Sequence, residues 1–178
     1  MQCPGCGAPM RLEVDKDFLV CDYCGNIHFP EPNSDGVRVL GEPSPLACPV
    51  CSVPLVHAAV GGERILYCNR CRGMLIAMDF FTAIIEDLRS RREAVADGAH
   101  QPNWKDLNRR IRCPQCAQTM DTHPYGGGGN IIIDDCERCA LNWLDYSELD
   151  RIVPAPDREY AGDLWGPRKK TPQPASND

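Results

Sequence analysis

Residues 113–152 read "CPQCAQTMDTHPYGGGGNIIIDDCERCALNWLDYSELDRI". Four consecutive glycines, an acidic pair and two cysteine pairs would suit a phosphate loop, a catalytic acid cluster and a metal site respectively. The glycines Gly126–Gly129 lack a following Gly-Lys-Ser/Thr and lead into the strand-like run "NIIIDDC" rather than a helix, so they mark a hairpin turn. Asp134 and Asp135 fall on opposite faces of that strand and do not converge. The cysteines remain: Cys113 and Cys116 before the hairpin, Cys136 and Cys139 after it, the pattern of a tetrathiolate zinc ribbon.

The same arithmetic covers the whole chain. All 12 cysteines of the 178 residues fall into Cys-x-x-Cys pairs. Joining consecutive pairs groups Cys3, Cys6, Cys21 and Cys24; Cys48, Cys51, Cys68 and Cys71; and Cys113, Cys116, Cys136 and Cys139, with 14, 16 and 19 intervening residues. The shifted grouping needs spans of 23 and 41 and strands a pair at each end. The first set also matches the hydropathy. "MRLEV" alternates and "FLVC" returns in the first unit; "PLVHAAV" and "RILYC" flank Gly61-Gly62 in the second. Pro4, Pro49 and Pro114 preset φ after the first cysteine of their pairs, and Gly7 and Gly25 allow positive φ after theirs.

The expected fold is therefore a small metal-stabilised α+β chain of three tandem zinc ribbons. Each is a β-hairpin with two Cys-x-x-Cys knuckles, and an α-helix follows the second and third. Units this small need metal to fold. Three Zn²⁺ are expected; iron in a rubredoxin-like centre would use the same twelve ligands. His28, His57, His100 and His123 are not required. The units divide as ribbon one at 1–29, a Pro-rich linker at 30–45 that leaves ribbon one free to move, ribbon two with an amphipathic helix at 46–95, a basic linker with a short helix at 96–112, ribbon three at 113–153, and a disordered tail at 154–178 with Tyr160 and Trp165.

The third unit resembles the transcription factor zinc-finger family, the bacterial ribbons similar to transcription factor IIB. That pattern is CPxC, a hairpin, CxxC, then Trp-Leu-Asp-x-x-Glu-Leu, matched by Trp143, Leu144, Asp145, Glu148 and Leu149. Ribbon two is similar more loosely, with Leu75, Ile76 and Ala77 in place of Trp-Leu-Asp and Phe80 in place of the glutamate; ribbon one is a generic ribbon. The resemblance implies zinc binding and transcription-related contacts. Locally, Asp145 and Glu148 have capping-box spacing, Leu144 and Leu149 that of a hydrophobic staple, and Trp143 is expected to pack over the hairpin beside the metal. After Cys71, Asp79 is placed to cap a helix whose apolar Phe80, Phe81, Ile84, Ile85 and Leu88 cover ribbon two.

Charge bears on partners. The formal net charge is −6, and three tetrathiolate zinc sites would bring it to about −12. That opposes general binding to phosphate backbones. The local exception is a basic stripe of Arg89, Arg91, Arg92, Lys105, Arg109, Arg110 and Arg112. Closed four-thiolate sites leave no open metal position, and no catalytic triad is legible, so the chain is not read as an enzyme. "MQCPGCGAPM" is not a signal peptide, so the expected compartment is the cytoplasm, where Cys-rich patterns read as metal sites. The expected role is a module that binds another macromolecule, mainly protein, in a transcription-associated setting. The alternative is a nucleic-acid-binding regulator using the basic stripe; metal storage or redox chemistry comes third.

Overall fold

The structure is a computed structural model that describes residues 1–13, 16–91, 104–125 and 131–155. Gly126–Gly129, Arg92, His100 and the tail from residue 156 lie outside the described residues.

Ribbon one is a three-stranded antiparallel sheet of β1 (Arg11–Leu12), β2 (Leu19–Val20) and β3 (Ile27–His28). Ribbons two and three do not stand apart. Their strands are β4 (Arg38–Ala47), β5 (Pro54–Val60), β6 (Glu63–Tyr67), β7 (Met74–Ala77), β8 (Asp121–Tyr125), β9 (Ile131–Cys136) and β10 (Leu141–Leu144), and together they make one seven-stranded sheet in the order β4-β5-β6-β7-β10-β9-β8. Gly61 and Gly62 both take positive φ at the β5–β6 turn, the geometry a two-residue hairpin needs.

The seam is the antiparallel pair β7–β10, in which Leu141, Asn142, Trp143 and Leu144 face Ala77, Ile76, Leu75 and Met74. Leu75 and Trp143 each follow the last cysteine of their ribbon by four residues. A local two-fold axis therefore runs between them and relates one ribbon to the other. The Trp-Leu-Asp-x-x-Glu-Leu spacing predicts a helix start. In the structure Trp143 and Leu144 end strand β10 instead, and the following helix, α3, covers only Glu148–Ile152. It opens on Ser147 with φ 69 and no side-chain cap. Half of the capping box is present, because Glu148 Oε2 accepts a hydrogen bond from the Asp145 N–H at 2.6 Å. The Asp145 carboxylate is held elsewhere.

Alternation along the strands sorts side chains into two cores. On one face Met74, Ile76, Ile131, Ile133 and Leu144 pack beneath α3 and α1 (Met78–Ser90). Helix α1 buries Phe81, Ile84 and Ile85, and Phe81 meets Tyr125 of ribbon three edge to face at 5.3 Å, so this helix covers both ribbons rather than ribbon two alone. Phe80 stays exposed, and Asp79 makes no side-chain cap. On the other face Leu55, Leu75, Ile111, Met120 and Trp143 pack with the cysteines of ribbons two and three.

The stretch expected as a free Pro-rich linker is also structured. Residues 38–47 form edge strand β4 against β5, with register shifts on either side of Pro43. An edge strand tolerates proline because its outward N–H groups have no ladder to serve. Upstream, Asn33 Oδ1 accepts from the Asp35 and Val37 N–H groups at 2.9 and 3.1 Å. Ribbon one is docked as well: Arg38 pairs with Asp17 at 2.7 Å, and Arg64 Nη1 donates to the carbonyls of Lys16 and Glu13 at 2.6 and 3.3 Å. The short helix expected before ribbon three is α2 (Trp104–Asn108).

Candidate metal centres

Each site is assembled by two knuckles of one backbone design. In five of the six, the turn is closed by the first cysteine's carbonyl, which accepts from the N–H of the residue after the second cysteine. These bonds reach Gly7, Gly25, Ser52, Arg72 and Ala117 at 2.8 to 2.9 Å. The first cysteine's own N–H donates to the carbonyl five residues on, at Ala8, Asn26, Val53, Gly73 and Gln118. The sixth knuckle, Cys136–Cys139, is a single 3₁₀ turn. All six residues after the second cysteine have positive φ, including Ser52, Arg72, Ala117 and Ala140, which carry side chains. Such a conformation costs about 1 to 2 kcal/mol for a residue with a Cβ, and the turn imposes it because it aims both sulfurs at one point.

The sulfurs converge in three groups: Cys3, Cys6, Cys21 and Cys24; Cys48, Cys51, Cys68 and Cys71; and Cys113, Cys116, Cys136 and Cys139. In each the ligand atoms lie within 4.8 Å of one another. Sγ–Sγ distances of 3.6 Å (Cys3–Cys24), 3.5 Å (Cys6–Cys21), 3.6 Å (Cys48–Cys71) and 3.7 Å (Cys116–Cys136) are far from a disulfide. They approach the edge of about 3.8 Å expected for four sulfurs placed tetrahedrally at about 2.3 Å from a zinc ion. Backbone N–H groups of Gly5, Cys51 and Cys71 point at Cys3, Cys48 and Cys68 sulfurs at 3.3 to 3.5 Å, stabilising negative charge there. Burial pushes the Cys48 thiol up to about 11 and drives Cys71 higher still, while in the third group the Gln118 N–H helps hold Cys116 down to about 7. Four such cysteines would hold a divalent ion as thiolates, so metal binding would release their protons.

Around the third site the sequence signature acquires a physical role. Trp143 is fully buried, and its Nε1 donates to Asp145 Oδ1 at 3.1 Å. Arg109 Nη2 bridges Asp145 at 2.6 Å and Asp134 at 2.8 Å, and Thr122 Oγ1 donates to Asp134 at 2.5 Å. Burial works against the Arg109 charge, yet the two carboxylates raise its pKa above the ordinary arginine value; burial keeps Asp134 above the usual carboxylate range even so. The sequence places Arg109 in the basic stripe. It is instead an internal clamp, and Arg89 is likewise engaged, donating to the carbonyls of Val153 and Ala155 at 2.9 and 2.8 Å. Arg91 pairs with Asp87 at 2.7 Å, and Arg110 donates to the Leu107 carbonyl at 3.0 Å. Among the described residues of the stripe, Arg89, Arg91, Arg109 and Arg110 are thus all engaged within the chain.

Two further residues were missed by sequence reasoning. Gly73 lies against the Trp143 ring: a Cβ there would sit 2.3 Å from Cζ2. Arg72 binds Asp35 with two nitrogens, donates to Ser34 at 2.7 Å and lies 4.2 Å from the centroid of Tyr146 in ribbon three. His57 and His123 take other partners, Arg64 at 3.1 Å and Asp135 at 2.6 Å, and no histidine enters a metal group among the described residues.

The family model described as transcription factor zinc-finger matches residues 47–87 and 112–155. The chain belongs to the transcription factor zinc-finger family through its second and third ribbons. No curated protein and no solved structure matches it. Both matched segments run through the third strand that forms the seam, so each transcription factor zinc-finger module here comprises knuckle, hairpin, knuckle, β7 or β10, and a helix. Ribbon one lies outside the match. Among the described residues no helix is long and apolar enough to cross a membrane.

Proposed function

We propose that this protein is a cytoplasmic, zinc-loaded, non-catalytic module that binds another protein in a transcription-associated setting. The observation that carries the reading is the composition of the three metal groups, which among the described residues are four cysteines each and nothing else. Four thiolates complete a tetrahedral shell and leave no position for water or substrate. Zinc is the ion assigned because closed four-thiolate sets on paired Cys-x-x-Cys knuckles are its usual structural environment. What the metal then supplies is a rigid surface. Ribbons two and three present a shallow cleft across their seam, with Leu46, Leu66, Leu75 and Leu141 below and Arg64 and Gln115 at its margin. Apolar floors with polar margins favour protein contacts over phosphate.

The alternative of nucleic-acid binding through the basic stripe is weakened by the internal use of Arg89 and Arg109 and by the net charge of −6. Affinity capture from the native host, with and without nuclease, tests the reading. A protein retained after nuclease and lost on substituting the half-buried Leu66 or Leu141 with aspartate, in variants that keep their zinc, supports it. Salt-sensitive retardation of DNA or RNA by the purified protein at low salt would replace it with the nucleic-acid reading. Elemental analysis finding iron rather than three zinc ions per chain would overturn the metal assignment.

A further inference from the structure

The three metal groups are chemically alike but protected unequally. In ribbon one Cys6 and Cys24 are exposed, whereas every ligand in the other two groups is buried or half-buried. The core behind the first group is Cys3, Met10, Leu19 and Cys21, with Ala8 and Leu12 against it. Its strands are two residues long. The second and third groups share a core with Leu55, Leu75, Ile111, Met120 and Trp143 inside the seven-stranded sheet. Accessibility and thiolate character govern oxidation of cysteine, and both coincide at Cys6 and Cys24 once a metal holds them deprotonated.

We propose that Cys6 and Cys24 form a peroxide-sensitive pair whose oxidation to a disulfide releases the metal of ribbon one while the other two sites stay loaded. The inference rests on the zinc-loaded reading, and counting metal before any oxidant is added tests that reading separately. In the first step the Cys6 thiolate attacks one peroxide oxygen, the O–O bond breaks, and hydroxide leaves with Cys6 as the sulfenic acid. In the second the Cys24 thiolate attacks the Cys6 sulfur, an S–S bond forms, and the S–O bond breaks to release a second hydroxide. The two sulfurs lose two electrons and the peroxide gains them; the metal departs as an unchanged divalent ion, having lost two of its four ligands. The sulfurs already lie within 4.8 Å of one another, and a disulfide requires closure to about 2.05 Å. Ribbon one meets the sheet through Asp17 and the carbonyls of Glu13 and Lys16. These sit in and beside the hairpin that the metal organises, so loss of the metal undocks it and releases Arg64 Nη1 at the margin of the seam cleft, with Nη2 still on His57.

The test is stepwise addition of hydrogen peroxide to the full zinc-loaded chain with a chromogenic chelator present, followed by peptide mapping of alkylated cysteines. One zinc per chain should leave about tenfold faster than the other two, with a Cys6–Cys24 disulfide appearing at the same rate and the remaining cysteines of ribbons two and three still reducible and metal-bound. Reductant plus zinc should restore the first site. Release of all three ions together, first release from ribbon two or three, or Cys6 and Cys24 still reduced when the first ion leaves would overturn the proposal. A Cys24→Ser variant provides a control, because it should lack the fast phase; a fast phase that persists in it refutes the pair.

Discussion

The contact between Gly73 and Trp143 allows a sharp test of the seam. Gly73 does not have positive φ, so alanine is conformationally acceptable there and would by itself stabilise the chain by about 0.5 to 1 kcal/mol relative to glycine. Sterics oppose that gain. The added methyl would lie 2.3 Å from Trp143 Cζ2, 2.8 Å from Cη2 and 3.1 Å from the Leu144 carbonyl oxygen. The ring cannot retreat, because Trp143 is fully buried and its Nε1 is bonded to Asp145. Overpacking of this kind costs about 1 to 3 kcal/mol, more where no side chain can yield, so Gly73→Ala should lower stability by about 2 to 3 kcal/mol. At about 2 to 4 °C per kcal/mol for a chain of this size, the transition should fall by about 4 to 12 °C. Thermal unfolding of zinc-loaded protein, followed by far-UV circular dichroism, reads this out. The decisive measurement is the double-mutant cycle with Trp143→Leu, which should recover at least about 1 kcal/mol of the loss because the ring that clashes is gone. A Gly73→Ala protein within about 0.5 kcal/mol of wild type, or additive behaviour in the cycle, would refute the seam as described.

Other consequences follow from the polar groups and the knuckles. Glu148 is buried, and burial raises its pKa to about 8. A carboxyl with a raised folded-state pKa stabilises the fold below its unfolded value and loses that contribution as pH rises through the folded value, so chemical denaturation should show stability falling by on the order of 1 to 2 kcal/mol from about pH 6.5 to 8. Glu148→Gln should flatten that slope. Arg109→Met leaves the Asp134 carboxylate, 3% exposed, with Thr122 alone, and should cost about 3 to 5 kcal/mol; an Asp134→Asn, Asp145→Asn background should soften the loss. Gly25 has φ 72 and open space around its Cβ position, so Gly25→Ala should weaken only the ribbon-one site, by about 1 kcal/mol or fivefold in a chelator competition. Acidification should release metal as protons compete for the thiolates, with loss of sheet circular dichroism.

The ligand sets and the hairpins of the second unit were legible because cysteine spacing and a Gly-Gly turn are local signals that tertiary context does not override. The seam was not. Trp143, Leu144, Asp145 and Glu148 satisfy a helix-start pattern, and only pairing with residues 74–77, far back in the chain, draws Trp143 and Leu144 into a strand. Strand β4 was hidden by Gly41, Pro43 and Pro45, which read as linker composition and are tolerated only because the strand lies at an edge. The stripe from Arg89 to Arg112 looks uniform in sequence, and the internal use of Arg109 is invisible there because Asp134 and Asp145 reach it only once β9 and β10 fold back.

The local two-fold axis at Leu75 and Trp143 has an evolutionary reading. Two identical ribbons meeting in this way would be a homodimer and would have to place the same residue on both sides of the axis, tryptophan against tryptophan and leucine against leucine. Joining both copies in one chain lifts that restriction. Here Trp143 lies over Gly73, while at the related positions Leu75 and Leu141 share a cleft, so one side pairs a bulky residue with none and the other pairs two of middling size. Covalent fusion of two like halves lets one of them become the filled, rigid partner and leaves the other with a recess that can diverge toward a ligand of its own.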